Sequence, residues 1–154
     1  MNQQFLMAKE KIIHTSARLT GFLLLGASVL HSTIGAADVL NAIKVGDIRQ
    51  PAVPTVLAVW IFSSIMLFLS GLWVLFIAGD LRKLLRKAWW QGILVGLGYA
   101  AGAIGAMAIA GVHAHLVAFA LIGLLLLIPL VIWAGSFGSS HIKSTVYPQR
   151  PSVP

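Results

Sequence analysis

Four transmembrane α-helices in one all-α polytopic bundle are what this sequence predicts, and three observations carry the prediction. The chain of 154 residues is 58% hydrophobic and only 10% charged. Its apolar residues gather into four runs, each near the roughly 20 residues that cross a hydrocarbon core of ~30 Å. Nine of its eleven Lys and Arg side chains flank alternate ends of those runs, as a chain threaded back and forth through a bilayer requires.

The composition excludes a soluble domain of this size. A small domain has too much surface for its volume to hide so many apolar groups, and soluble chains carry nearer ~25% charged residues. With a mean hydropathy of +0.92, the chain needs an apolar solvent, which a bilayer supplies. There is no cysteine, so disulfide and thiolate chemistry are excluded. The net charge of +7 reads as topology and attraction to anionic lipid headgroups rather than nucleic acid, because the basic residues border the apolar runs.

The runs are expected at 17–40, 55–78, 90–110 and 115–133, making residues 1–134 a transmembrane domain. No run alternates with the period of two that marks a strand, and all exceed the ~10 residues of a barrel strand. The first run has a rival reading. Lys9, Lys11 and Arg18 precede the apolar stretch from Leu19 to Leu30, and the small residues Gly35, Ala36 and Ala37 follow, which is the layout of a secretory signal and its cleavage site. Apolar character continues to Leu40, however, so a retained helix is expected. In the connection 41–54, Pro54 suits the first turn of the second helix, where a missing N–H costs little. The link 80–89 is basic, and 111–114 is a tight turn. Residues 135–154, rich in Ser, Gly and Pro, are expected to form a flexible cytoplasmic tail. Pro129 interrupts one backbone hydrogen bond of the fourth helix and is expected to kink it.

Basic residues orient the bundle. Lys9, Lys11, Arg18, Arg82, Lys83, Arg86, Lys87, Lys143 and Arg150 fall on one side and only Lys44 and Arg49 on the other, so both termini are expected in the cytoplasm. Trp73, Trp89, Trp90 and Trp133 then lie toward the inner interface and Trp60 toward the outer one, as an aromatic belt that requires no ligand.

The third helix carries the small residues Gly98, Gly102, Ala106 and Ala110 at every fourth position, and Gly92 and Gly96 as a second such pair. This spacing makes a flat stripe on which another helix sits closely, inside one bundle or between copies in a homo-oligomer or larger membrane complex.

His31 is the leading candidate for chemistry. It lies 13 residues beyond Arg18, about 20 Å along a helix, which puts an ionisable ring inside the membrane. Such residues are costly and turn to the bundle interior. One reading has it hydrogen-bonded to Ser63, Ser64 or a backbone carbonyl. The other makes it a ligand. Asp38, seven residues on, shares nearly its helical face, with Gly35 between them, and His113 and His115 lie at the same end on the fourth helix. Imidazole and carboxylate together suit copper, zinc or haem, or hydrogen-bond a quinone. If the fourth helix has begun, positions 113 and 115 point about 200° apart, so only one of them is expected to face His31, and His115 is the choice because it lies closer to the membrane.

The stretch His31-Ser32-Thr33-Ile34-Gly35, followed by Trp60-Ile61-Phe62-Ser63-Ser64 and a polar start to the fourth helix at His113–His115, resembles a pattern in small bacterial four-helix membrane proteins. The resemblance implies a four-helix fold in a bacterial inner membrane. It implies no catalytic role, because that group has no established activity. No acidic residue lies in the middle of a run, which argues against a proton-coupled multidrug pump. The glycines lack the Gly-Lys-Ser/Thr ending of a phosphate loop, and no nucleophile–base–acid set is visible. The expected function is therefore a non-enzymatic accessory or assembly subunit of a membrane complex. A small haem-, metal- or quinone-binding protein and a transporter or channel component are the alternatives.

Overall fold

A computed structural model describes residues 3–138. Its elements in chain order are α1 (Gln3–Leu30), a π-helical turn (His31–Gly35), α2 (Ala36–Lys44), a 3-10 turn (Gln50–Ala52), α3 (Val53–Arg82), α4 (Arg86–Ala110), α5 (Ala114–Ile132) and a last 3-10 turn (Ala134–Ser136). There is no strand among the described residues. Four passes, Met7–Lys44, Gln50–Arg82, Arg86–Ala110 and Ala114–Ile132, are long and apolar enough to cross a membrane. The passes outrun the expected apolar runs at several ends, because a helix does not stop where its hydropathy falls. The first continues unbroken through 35–37, where the sequence alone resembled a cleavage site.

Connections of only a few residues force neighbouring passes to run antiparallel. They form a ring in which α1 packs mainly on α3 and α4 mainly on α5. Lesser contacts of α1 with α5 and of α3 with α4 close it, and α3 and α4 touch least. We call the end with the α3–α4 connection proximal and the end with the α2–α3 and α4–α5 connections distal.

Glycines set the two tight crossings. At the α1–α3 crossing a Cβ on Gly21 would lie 2.6 Å from Leu75 Cγ, and one on Gly71 would lie 3.0 Å from the Gly21 carbonyl. At the α4–α5 crossing a Cβ on Gly123 would lie 2.5 Å from the backbone N of Ala100 and 2.6 Å from the Gly96 carbonyl. Small residues let backbones meet at these distances. Gly92 and Gly96 face Leu130 and Leu127 of α5. Gly98 and Gly102 do not: a Cβ at either would meet nothing within 4 Å. The close-packed face of α4 is instead Gly92, Gly96, Ala100 and Ala103, all buried, while Ala106 is half-buried and Ala110 exposed. Both stripes have spacing near four, and only the partner helix selects between them.

Polar groups lock the proximal half. Pro129 has no N–H to give the carbonyl of Leu125, four residues back, and the Ser16 hydroxyl of α1 donates to that carbonyl instead. The Leu130 carbonyl, left over where α5 ends, accepts from Trp89 Nε1 at 2.8 Å. Trp89 is therefore a tie between α4 and α5 as well as an interfacial ring. Residues 134–138 turn back onto the bundle. Phe137 is buried beside Trp89, and the Gly138 N–H donates to the Leu84 carbonyl at 3.2 Å. The expected flexible tail thus has an ordered start, and its remainder, 139–154, lies outside the described residues.

The core is confined to this half. Buried residues run from Lys9 to Ser28 on α1, Leu67 to Leu81 on α3, Ala88 to Ala103 on α4 and Ala120 to Leu130 on α5. No described residue from 29 to 66 or from 104 to 119 is buried. Toward the distal end the helices part.

Candidate functional site

The parting helices leave a cleft of about 440 Å³ at the distal end. Phe62, Ser63, Met66 and Leu67 of α3 line one wall, and Gly98, Tyr99, Gly102 and Ala103 of α4 the other. His31 closes it from the α1 side and His115, Leu116 and Phe119 from α5. Gly98 and Gly102 are here the floor of a cleft, which explains why no helix lies on them.

His31 opens the π-helical turn. A turn closed by i→i+5 bonds holds one residue more than an α turn, so whatever follows is rotated by about 100°. This is why Asp38 leaves the face it was expected to share with His31: it stands exposed on α2, outside the cleft lining. The Thr33 hydroxyl donates to the Val29 carbonyl at 2.8 Å, taking up an acceptor beside the widened turn.

The His31 ring stacks on Trp60 of α3, with centroids 3.8 Å apart and planes inclined by 18°. Gly35 makes room for this pair, since a Cβ there would fall 2.4 Å from Trp60 Cζ2. One turn inward, the Ser28 hydroxyl donates to the Ser64 carbonyl at 3.0 Å and fixes α1 against α3. Trp60 is the residue that sequence reasoning missed. It was assigned to an interfacial belt, although His31 and Gly35, one helical turn apart, together mark a recess for an aromatic ring.

The serines expected to satisfy His31 are engaged elsewhere. Ser63 donates to the Val59 carbonyl at 2.7 Å and Ser64 to the Trp60 carbonyl at 3.0 Å. His31 Nε2 and Trp60 Nε1 are both buried and have no hydrogen-bond partner within the protein. An unpaired buried polar group costs about 1–3 kcal/mol, and here two stand in one stacked pair. The indole N–H can only donate.

His113 and His115 sit where α5 begins. His113 precedes the helix in an extended conformation and swings back so that the two rings stack, with centroids 5.6 Å apart. Its Nε2 lies 3.0 Å from the Ala110 carbonyl. His115 lines the cleft and His113 does not. Because His113 lies before the first turn of α5, the separation of about 200° in a continuous helix does not apply to the two. Gly111, between the two helices, has φ +86°, a conformation that a side chain resists.

The metal-centre reading finds no assembled ligands: among the described residues no group of three or more His, Cys, Asp or Glu is placed to hold an ion. Of the stacked pair only His31 lines the cleft, and a small oxygen acceptor there would reach the two covered nitrogens once a shift of the rings exposed them. Comparisons with protein families, with curated proteins and with solved structures found no match to this chain.

Proposed function

We propose that the chain is a non-enzymatic integral protein of a bacterial inner membrane, with both termini in the cytoplasm, and that it holds a lipid-soluble, quinone-type molecule in its distal cleft. On this reading it serves a larger membrane complex as an accessory subunit. The distal end then faces outward, and the parted α3 and α4 open the cleft sideways to the outer leaflet. The observation that carries the reading is His31 on the cleft wall, stacked on Trp60 behind it, with both ring nitrogens buried and unpaired until a shift of the rings turns them to a ligand. A quinone head suits it: a flat ring with carbonyl oxygens that accept hydrogen bonds and no charge to desolvate. The cleft falls within the ~300–1,000 Å³ range of small-molecule sites, which are mostly apolar with few polar groups.

The test uses the full chain in phosphatidylcholine nanodiscs and a short-tailed benzoquinone, with binding followed by tryptophan fluorescence quenching. Trp60→Phe keeps an aromatic ring against His31 and removes the donor. It is expected to weaken binding about tenfold, the worth of one hydrogen bond of about 1.4 kcal/mol. Thermal stability of the free protein should fall, because phenylalanine leaves empty the recess at Gly35 that Trp60 Cζ2 fills, so binding is compared at a temperature where both proteins are folded. Equal binding by Trp60→Phe and the unaltered chain would falsify the reading.

A further inference from the structure

A second hollow lies on the same two helices, a groove of about 700 Å³ lined by Leu69, Ser70, Leu72, Trp73 and Phe76 of α3 and Val95 of α4. Tyr99 belongs to the cleft and interacts with Ser70 of the groove, so one side-chain pair marks the junction. From Ser63 in the cleft to Phe76 at the far end of the groove is 13 residues, or about 20 Å along α3. That is two-thirds of a hydrocarbon core of ~30 Å. Polarity falls along this path: His31, Ser63, Tyr99 and His115 stand at the distal end and little but apolar side chains at the proximal end. Leu69, Leu72, Trp73 and Phe76 are exposed to the extent of 49%, 44%, 46% and 78%.

We propose that the α3–α4 seam is a track for the long isoprenoid or acyl tail of the molecule whose head lies in the cleft. The site then takes amphiphiles with a small acceptor-bearing ring and a long apolar chain. The proposal rests on the head-group reading above. It accounts for a second hollow on the same two helices that line the cleft. It also predicts that the tail runs from the distal end toward the middle of the bilayer, parallel to α3. Affinity is a poor probe of the track, since lipid chains are as apolar as the groove and tail transfer gains little. Position is the better measurement.

The experiment places the full chain in phosphatidylcholine nanodiscs with a benzoquinone whose long saturated tail ends in a photoreactive diazirine, and maps the crosslinks by peptide mass spectrometry. The expected result is saturable labelling of Leu72, Trp73, Phe76 or Val95 that a short-tailed benzoquinone displaces. Leu69→Trp, at an exposed position that folding should tolerate, is expected to cut the seam labelling several-fold and leave short-tailed quinone binding unchanged. Two results overturn the proposal in different ways. If the short-tailed quinone binds but the tail label spreads over all lipid-facing helices, as from a diazirine-bearing phosphatidylcholine, the track is wrong and the head site stands. If the short-tailed quinone does not bind, both fail together.

Discussion

At Gly35 one hydrogen atom decides whether the site exists. Any side chain there would begin 2.4 Å from Trp60 Cζ2, so Gly35→Ala must push the indole off His31 or push α1 off α3. The expected cost is about 1–3 kcal/mol, as for other overpacked contacts, seen as a lower unfolding temperature in detergent together with weaker quinone binding. Ser16→Ala tests a different residue. It leaves the Leu125 carbonyl beside Pro129 without its donor, and interhelical hydrogen bonds of this kind are worth about 0.6–2 kcal/mol in membranes. Stability should fall by that amount with binding unchanged, because Ser16 lies in the proximal half. A loss of binding in Ser16→Ala would mean that the two halves are coupled.

The elements divide the labour between the two ends. The α1–α3 and α4–α5 pairs are clamped through Gly21 with Gly71 and through Gly96 with Gly123, whereas α3 and α4 meet less extensively. This yields opposite outcomes for two substitutions on α4. Gly96→Leu drives a large side chain into Leu127 and the Gly123 carbonyl and should lower the detergent unfolding temperature. Gly102→Leu, in a helix of the same composition, has open space around it. It should leave stability intact and block the cleft, reducing quinone binding. If Gly102→Leu unfolds the protein, the helices close up at the distal end in solution. The small-residue periodicity of α4 was legible, but its direction was not. On α1 a signal was available: Lys9, Ser16, Thr20 and Ser28 are all buried, and their helical spacing traces one face. A polar stripe on an otherwise apolar helix points inward for the same reason that His31 does.

For the whole molecule, the distribution of charge makes a prediction that no internal contact can test. Reporter fusions after Lys87 and after Pro154 should behave as cytoplasmic and one after Asp47 as external. An external signal at Lys87 would invert the bundle and turn the cleft toward the cytoplasm. Molecular size matters here too. The described core fills only the proximal half, so lipid must complete the distal half if the helices are to remain apart. Protein transferred from bilayer to detergent should therefore lose order first near His31 and His115, which amide hydrogen exchange along α2 and the start of α5 would detect. Uniform exchange along all four passes would count against a divided bundle.

The number of passes, their order and the all-helical class follow from the sequence by itself. Hydropathy is a sum over neighbours along the chain, and the cost of an unpaired peptide group in lipid leaves the helix as the only local solution. The candidate site was half legible. His31 stands out because an imidazole in an apolar run is expensive wherever the helix turns, and His115 because it lies nearer the membrane than His113. Tertiary structure alone decided the rest. It paired His31 with Trp60, and its π-helical turn carried Asp38 away. It seated α5 on Gly92 and Gly96 and left Gly98 and Gly102 bare. These outcomes depend on how each helix is rotated about its own axis. A helix that is apolar all round carries little record of that rotation, because the faces turned to lipid and to protein are chemically alike.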